Sequence, residues 1–137
     1  DLLATLAEML GTELPDDAGE DSFSFYTALS GAGNQPERPP IIHNSAKGQL
    51  AIRAGDWKLV MPHKLNKAEL YNLAKDPSEK DNVYTQHPEI VEDLQAKITD
   101  IVLSGRSTPG ETQTNDTGWW PNLTWIPEAD YPAAKSQ

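Results

Sequence analysis

The sequence predicts an α+β fold, in which a small antiparallel β-sheet of about four strands packs against a helix towards the C-terminal end. Three observations carry that expectation. Residues 49–61 alternate with the period of two that a half-buried strand requires, placing Leu50 and Ile52, then Trp57, Leu59 and Met61, on one side. Ala54-Gly55-Asp56 separates these two runs and suits a tight hairpin. Residues 88–104 carry Ile90, Val91, Leu94, Ile98, Ile101 and Val102 at helical spacing, opening on Pro88 and closing before Gly105.

The other elements follow from local chemistry. Asp1 can cap a first helix whose apolar stripe is Leu2, Leu3, Leu6, Met9 and Leu10, with Gly11 at the C′ position. A helix this short is marginal in water, so its stripe requires a partner, either the rest of this domain or a body outside these residues. Residues 14–21 form an acidic loop, and Ser22 to Leu29 predicts a second short helix ending at Ser30-Gly31. Residues 32–40, rich in Gly and Pro, are a connector. Ile41-Ile42-His43-Asn44-Ser45 reads as the first strand, Lys47-Gly48 as its turn, and Glu69 to Leu73 as the last strand. The long helix is expected to lie across one face of this sheet. Beyond Gly105 the pattern dissolves into Ser, Thr, Pro, Gly, Asn and Asp, within which Trp119, Trp120 and Trp125 stand out. Tryptophans are costly to leave in water, so the tail is expected to dock on a surface.

Composition narrows the partners. The chain has 137 residues, enough for one small domain, and a formal charge of −10 from 21 acidic against 11 basic side chains. Such a surface disfavours non-specific binding to nucleic acid or to an anionic membrane, so neither is expected as a partner. With no cysteine, disulfides and thiolate metal sites are excluded. No apolar run approaches the roughly 20 residues of a membrane helix. The chain begins at Asp1 without a basic-then-apolar leader, which reads as a piece of something longer or a mature product.

Ala51-Ile52-Arg53-Ala54-Gly55-Asp56-Trp57-Lys58-Leu59, followed by Glu69-Leu70-Tyr71-Asn72-Leu73, Asp76-Pro77-Ser78-Glu79 and Asn82, resembles the C-terminal subdomain of the type I, formylglycine-dependent sulfatases of bacterial arylsulfatase kind. Asp1-Leu2-Leu3-Ala4-Thr5-Leu6 is similar to that family's Asp-Leu-x-Pro-Thr-Leu segment, with Ala4 at the usual proline. Leu29-Ser30-Gly31, the helix from Pro88 to Leu103, and Arg106-Ser107-Thr108-Pro109-Gly110 with Asn115-Asp116 also resemble family segments in order. The resemblance implies three parts. Residues 1–38 would be the end of the main alkaline-phosphatase-like α/β domain and a connector, 39–105 the C-terminal subdomain, and 106–137 an extended aromatic tail.

The resemblance also implies a chemistry, sulfate ester hydrolysis, whose catalytic residues lie on an N-terminal domain outside this chain. No catalytic residue and no metal ligand is expected here. Calcium and a formylglycine, made from Cys or Ser in Cys/Ser-x-Pro-x-Arg, are expected on that other domain. The near match Ser107-Thr108-Pro109-Gly110-Glu111 has Glu where the motif requires Arg, and the acidic loop with Asp16, Asp17, Glu20 and Asp21 lacks calcium-loop spacing. What this piece can contribute is the wall of a substrate cleft. His43, Asn44 and Ser45, a dense set of donors and acceptors at a strand end, and His63 in the next loop are the candidate substrate-binding residues. The plainer alternative makes His43 an ordinary half-buried strand histidine, and His87 a helix-start residue. The tryptophans either dock the tail onto the main domain or stack on sugar rings. Partners expected from the resemblance are an N-terminal catalytic domain or chain and a sulfated small molecule or carbohydrate, in a periplasmic or secreted setting. An alternative reading is a non-catalytic binding module that associates with a separate N-terminal chain. A phosphoesterase of the wider superfamily fits the wording less well.

Overall fold

The structure is a computed structural model that describes residues 1–31, 33, 37–64, 66–114 and 118–132. Its elements run α1 (Leu2–Leu10), α2 (Tyr26–Ser30), β1 (Ile41–Asn44), β2 (Leu50–Ala54), β3 (Trp57–Val60), β4 (Glu69–Asn72), α3 (Pro88–Ser104) and a single 3-10 turn at Glu128–Asp130. The four strands form one antiparallel sheet in sequence order. The register places Ile52 opposite Leu59, and Leu59 opposite Leu70. Because strand side chains alternate, these three share the face that receives α3.

The core forms where the strand period meets the helix period. Ile52, Leu59, Met61 and Leu70 from the sheet side meet Val91, Leu94 and Ile98 from α3. Ile52, Met61, Leu70 and Ile98 are wholly inaccessible to solvent. At the start of α3, Trp57 and His87 make an edge-to-face contact with ring centroids 5.0 Å apart. The β4 edge is covered by the chain that follows it. Leu70 N–H donates to Asn82 Oδ1 at 3.1 Å, and Val83 N–H donates to the Leu70 carbonyl at 2.9 Å. Covering a sheet edge in this way removes a row of free backbone groups.

The segment before the sheet is held by polar bonds. Asp1 precedes α1 but makes no side-chain cap. Its carboxylate instead accepts from Phe23 N–H at 3.1 Å and pairs with Arg38. Thr5, the one buried residue of α1, accepts from Phe25 N–H at 3.1 Å, and Ser22 Oγ accepts from Ala4 N–H at 3.0 Å. Thr5 Oγ1 and Ser24 Oγ thus take the Phe25 and Tyr26 N–H donors that fall within a helix from Ser22. The expected helix over Ser22 to Leu29 accordingly shrinks to Tyr26–Ser30. The stripe of α1 faces outward, with Leu2, Leu3, Leu6, Met9 and Leu10 all at least half exposed or close to it, between 49% and 78%.

The tail does dock, and it finds its surface within this chain. Leu123 and Ile126 are buried. Trp119 Nε1 donates to the Ile126 carbonyl at 3.0 Å, Trp125 Nε1 to Thr99 Oγ1 on α3 at 3.2 Å, and Thr124 Oγ1 to the Pro62 carbonyl at 2.9 Å. Two of the three tryptophans are therefore tied down by their own N–H groups, one of them on α3 rather than on another domain. Arg106, also buried, fixes the start of the tail. It donates to the carbonyls of Thr108 and Glu111 at 3.0 Å and pairs with Asp16 at 3.1 Å. The Asn115-Asp116 part of the family resemblance lies outside the described residues.

Candidate functional site

The β1–β2 turn and the β3–β4 loop lie at one end of the sheet, opposite the Gly55-Asp56 hairpin. This follows from the register. Asn44 pairs with Leu50, and Met61 N–H continues the ladder by donating to the Leu50 carbonyl at 2.9 Å. Gln49 Nε2 donates to the Met61 carbonyl at 3.0 Å and ties turn to loop. His43, Asn44, Ser45 and His63 thus gather at one end of the sheet although 20 residues separate the first from the last.

Their surroundings differ. His43 and Asn44 are exposed and, as neighbours on a strand, project to opposite faces. Ser45 is also exposed and shapes the turn, its oxygen accepting from Gln49 N–H at 3.0 Å while its carbonyl accepts from Gly48 N–H at 2.9 Å. His63 lies inside, only 4% exposed. Its backbone exchanges bonds with Asn66 at 3.1 and 2.8 Å, and Nε2 has no hydrogen-bond partner among the described residues. The sequence offered no signal for that burial, because a histidine followed by a lysine in a loop reads as solvated.

The tail completes this end, a contribution that sequence reasoning missed. Gly48 adopts φ 79°, and a Cβ there would approach Trp120 to 2.8 Å and collide with the Asn122 amide. Only glycine lets the tail cross so closely. The Asn122-Leu123-Thr124 triplet, which has the form of a glycosylation acceptor, is thereby packed into the fold, with Asn122 against Gly48 and Thr124 bonded to Pro62. A cleft of about 860 Å³ opens beside it, lined by Phe23, Ile41, Ile42, Leu50, Trp120 and Arg38 among others.

Elsewhere the polar groups are structural. Lys58 Nζ contacts both oxygens of Glu79 at 2.7 and 2.8 Å. Tyr71 donates to Glu69 Oε2 at 2.9 Å, and burial, reinforced by that bond and the Glu69 charge, pushes its phenol up to about 12. Asp76 is held below its ordinary value by the Asp81 N–H, against a desolvation that works the other way, and the Lys80 N–H adds to the effect. Among the described residues no three His, Asp or Glu side chains converge to hold a metal ion. In the acidic loop, Asp16 accepts from Arg106 and from Glu111 N–H, and Asp21 accepts from both Ser107 Oγ and Ser107 N–H. Ser107, the serine of the near match, is thereby fixed as a loop anchor. No helix among the described residues is long and apolar enough to cross a membrane.

Comparison with known proteins adds the lineage. No family model matches the chain. It is 34% identical over 115 residues to the N-acetylgalactosamine-6-O-sulfatase of Bacteroides thetaiotaomicron, covering 74% of this chain and 22% of that protein. It is 30% identical over 115 residues to arylsulfatase K of Mus musculus, covering 74% of this chain and 20% of that protein. The chain spans about a fifth of the length of these curated relatives. A solved structure from work on glycosaminoglycan metabolism by Bacteroides thetaiotaomicron superposes with a TM-score of 0.65 at 33% identity, covering 74% of this chain and 24% of that one. A solved 2-O GAG sulfatase superposes with a TM-score of 0.57 at 25% identity over the same shares.

Proposed function

The chain carries a sulfatase C-terminal-like region, and from that premise we propose that it is part of an enzyme that hydrolyses sulfate esters of aryl alcohols or carbohydrates to the alcohol and inorganic sulfate. The observation that supports this best is the shared sequence and fold, 33% identity at a TM-score of 0.65, over 74% of the chain. In this reading the catalytic centre, with its formylglycine and calcium, belongs to an N-terminal domain, and the protein works in the periplasm or outside the cell. The sheet end carrying His43, Asn44, Ser45 and His63 helps to wall the substrate cleft, with exposed His43 and Asn44 as the groups able to reach a sulfate or hydroxyl. His63 supports the loop behind them. The relatives' names, an N-acetylgalactosamine-6-O-sulfatase and a GAG sulfatase, favour a sulfated sugar as substrate.

The outward stripe of α1 supports a docking surface for the N-terminal catalytic domain or chain. It presents five large apolar side chains and no basic residue that would draw it to an anionic membrane. The test is direct. A full-length product carrying this chain is expected to release inorganic sulfate from an aryl or sugar sulfate, to lose that activity with a calcium chelator, and to contain a formylglycine detectable by peptide mass. The 137-residue chain by itself is expected to release none, and sulfate release by it alone would overturn the division of labour proposed here.

A second reading, a non-catalytic module bound to a separate N-terminal chain, is favoured by the same α1 stripe. Native mass spectrometry of the protein from its own cells separates the two. A complex with a partner chain carrying Cys/Ser-x-Pro-x-Arg supports the module, and one continuous polypeptide supports the enzyme.

A further inference from the structure

The charge of this chain is unevenly placed. Residues 41–69 hold five basic side chains, Lys47, Arg53, Lys58, Lys64 and Lys67, against two acids, Asp56 and Glu69, in a chain whose total is −10; Glu69 opens β4 at the lysine-bearing end and accepts from the Tyr71 hydroxyl. Asp56 sits at the opposite end of the sheet, in the β2–β3 hairpin. Lys47 is in the β1–β2 turn, and Lys64 and Lys67 are in the β3–β4 loop. All three are exposed, and none has an ion pair among the described residues. By contrast Arg38, Lys58, Lys97 and Arg106 are each matched to a carboxylate. The tail stretch that crosses this end, residues 118–127, carries no charged side chain at all. It brings Trp120 against Gly48 with about a third of its surface exposed (36%), while Trp119 and Trp125 are fixed by their N–H bonds.

We propose that this end of the sheet, with Trp120 beside the Lys47-Gly48 turn and Lys64 and Lys67 in the β3–β4 loop, is a holding site for a sulfated polysaccharide. Ammonium groups on flexible stems are point charges suited to sulfates whose spacing along a polymer varies. An indole face is a flat apolar surface on which the carbon face of a sugar can lie. A polyanion is repelled by most of this acidic surface, so the end where basic side chains outnumber acids both attracts and orients it. The site is distinct from the sulfate being hydrolysed: it grips sulfates further along the same chain and favours polymeric over small substrates. It rests on the sulfatase reading only for the choice of sulfate as the anionic group.

The experiment measures binding of the 137-residue chain to size-fractionated chondroitin sulfate by calorimetry, with unsulfated chondroitin, inorganic sulfate and duplex DNA as comparisons. Binding to the sulfated polymer is expected, weakening as salt is raised. The triple variant Lys47→Glu, Lys64→Glu, Lys67→Glu is expected to bind about tenfold more weakly or worse. Trp120→Ala is expected to weaken binding while leaving its salt dependence in place. Lys97→Glu, on α3, serves as the charge control and is expected to bind as the parent does. Circular dichroism confirms that each variant is folded, and the single variant Lys67→Glu provides a milder perturbation. No binding, equal binding to unsulfated polymer or to DNA, binding to inorganic sulfate as tight as to the polymer, or an equal loss in Lys97→Glu would each overturn the proposal. Sulfate release by the full-length product is measured separately. Turnover without polymer binding defeats the holding site alone, and binding without turnover defeats the sulfatase reading alone.

Discussion

The two longer helices of this molecule, α1 and α3, carry comparable apolar stripes and meet opposite fates. In α3, Val91, Leu94 and Ile98 are buried against the sheet, whereas in α1 the buried residue is Thr5 and the leucines face out. Fully burying a leucine contributes roughly 1.5–3 kcal/mol relative to leaving it exposed, so α3 gains that stabilisation several times and α1 forgoes it. What holds α1 in place is polar, namely the bonds of Thr5 and Ser22 to the neighbouring backbone. An amphipathic pattern states that a helix has an apolar face. It does not state that the covering surface lies in the same stretch of chain.

Four measurements break or sharpen that contrast. The largest effect is expected in α3, where Ile98→Ala should cost about 2–5 kcal/mol in urea denaturation, because the site is fully enclosed. Arg106 ties the two regions together through Asp16, and Arg106→Met should cost about 1–3 kcal/mol while raising hydrogen exchange in residues 14–22. The cost stays moderate because Asp16 is half exposed and can rehydrate. A third effect depends on pH. The Tyr71 phenol titrates at about 12 in the folded state against an ordinary 10.0, so the folded form retains the proton more strongly. That contribution is fully present below pH 10 and is lost as the pH rises towards 12. Tyr71→Phe should therefore flatten the fall in stability over this window, and an unchanged slope would show that Tyr71 does not carry it. The smallest effect is expected in α1. Leu6→Ser and Leu10→Ser should each change the stability of the isolated chain by no more than about 0.5 kcal/mol, while reducing its binding of an apolar dye. A loss as large as that of Ile98→Ala would mean that the α1 stripe is covered after all.

Much of the sheet was legible because its signals are local and agree with one another. The alternation in residues 49–61, the Gly55 turn and the Pro88-to-Gly105 helix each specify the same element by pattern and by punctuation. The register then follows from the hairpin, since a slip by one residue would turn Ile52 and Leu59 to the other face. Less was legible between residues 22 and 30, where Thr5 and Ser24 oxygens take the Phe25 and Tyr26 N–H donors and the helix shortens. At the candidate site, His43, Asn44 and Ser45 were readable as an exposed polar strand end. The burial of His63 and the arrival of Trp120 at Gly48 were not, because both depend on residues distant in sequence.

By itself the sequence determined the strands, the long helix, the glycines that end and turn them, and the family wording, since each is written in short-range periodicity and residue type. Only the tertiary structure decided that α1 faces outward, that the tail docks on its own domain, and that Lys47, Lys64, Lys67 and Trp120 share one end of the sheet. Those outcomes depend on which surfaces compete for a side chain across the whole molecule, a balance of burial and charge that short-range pattern does not encode.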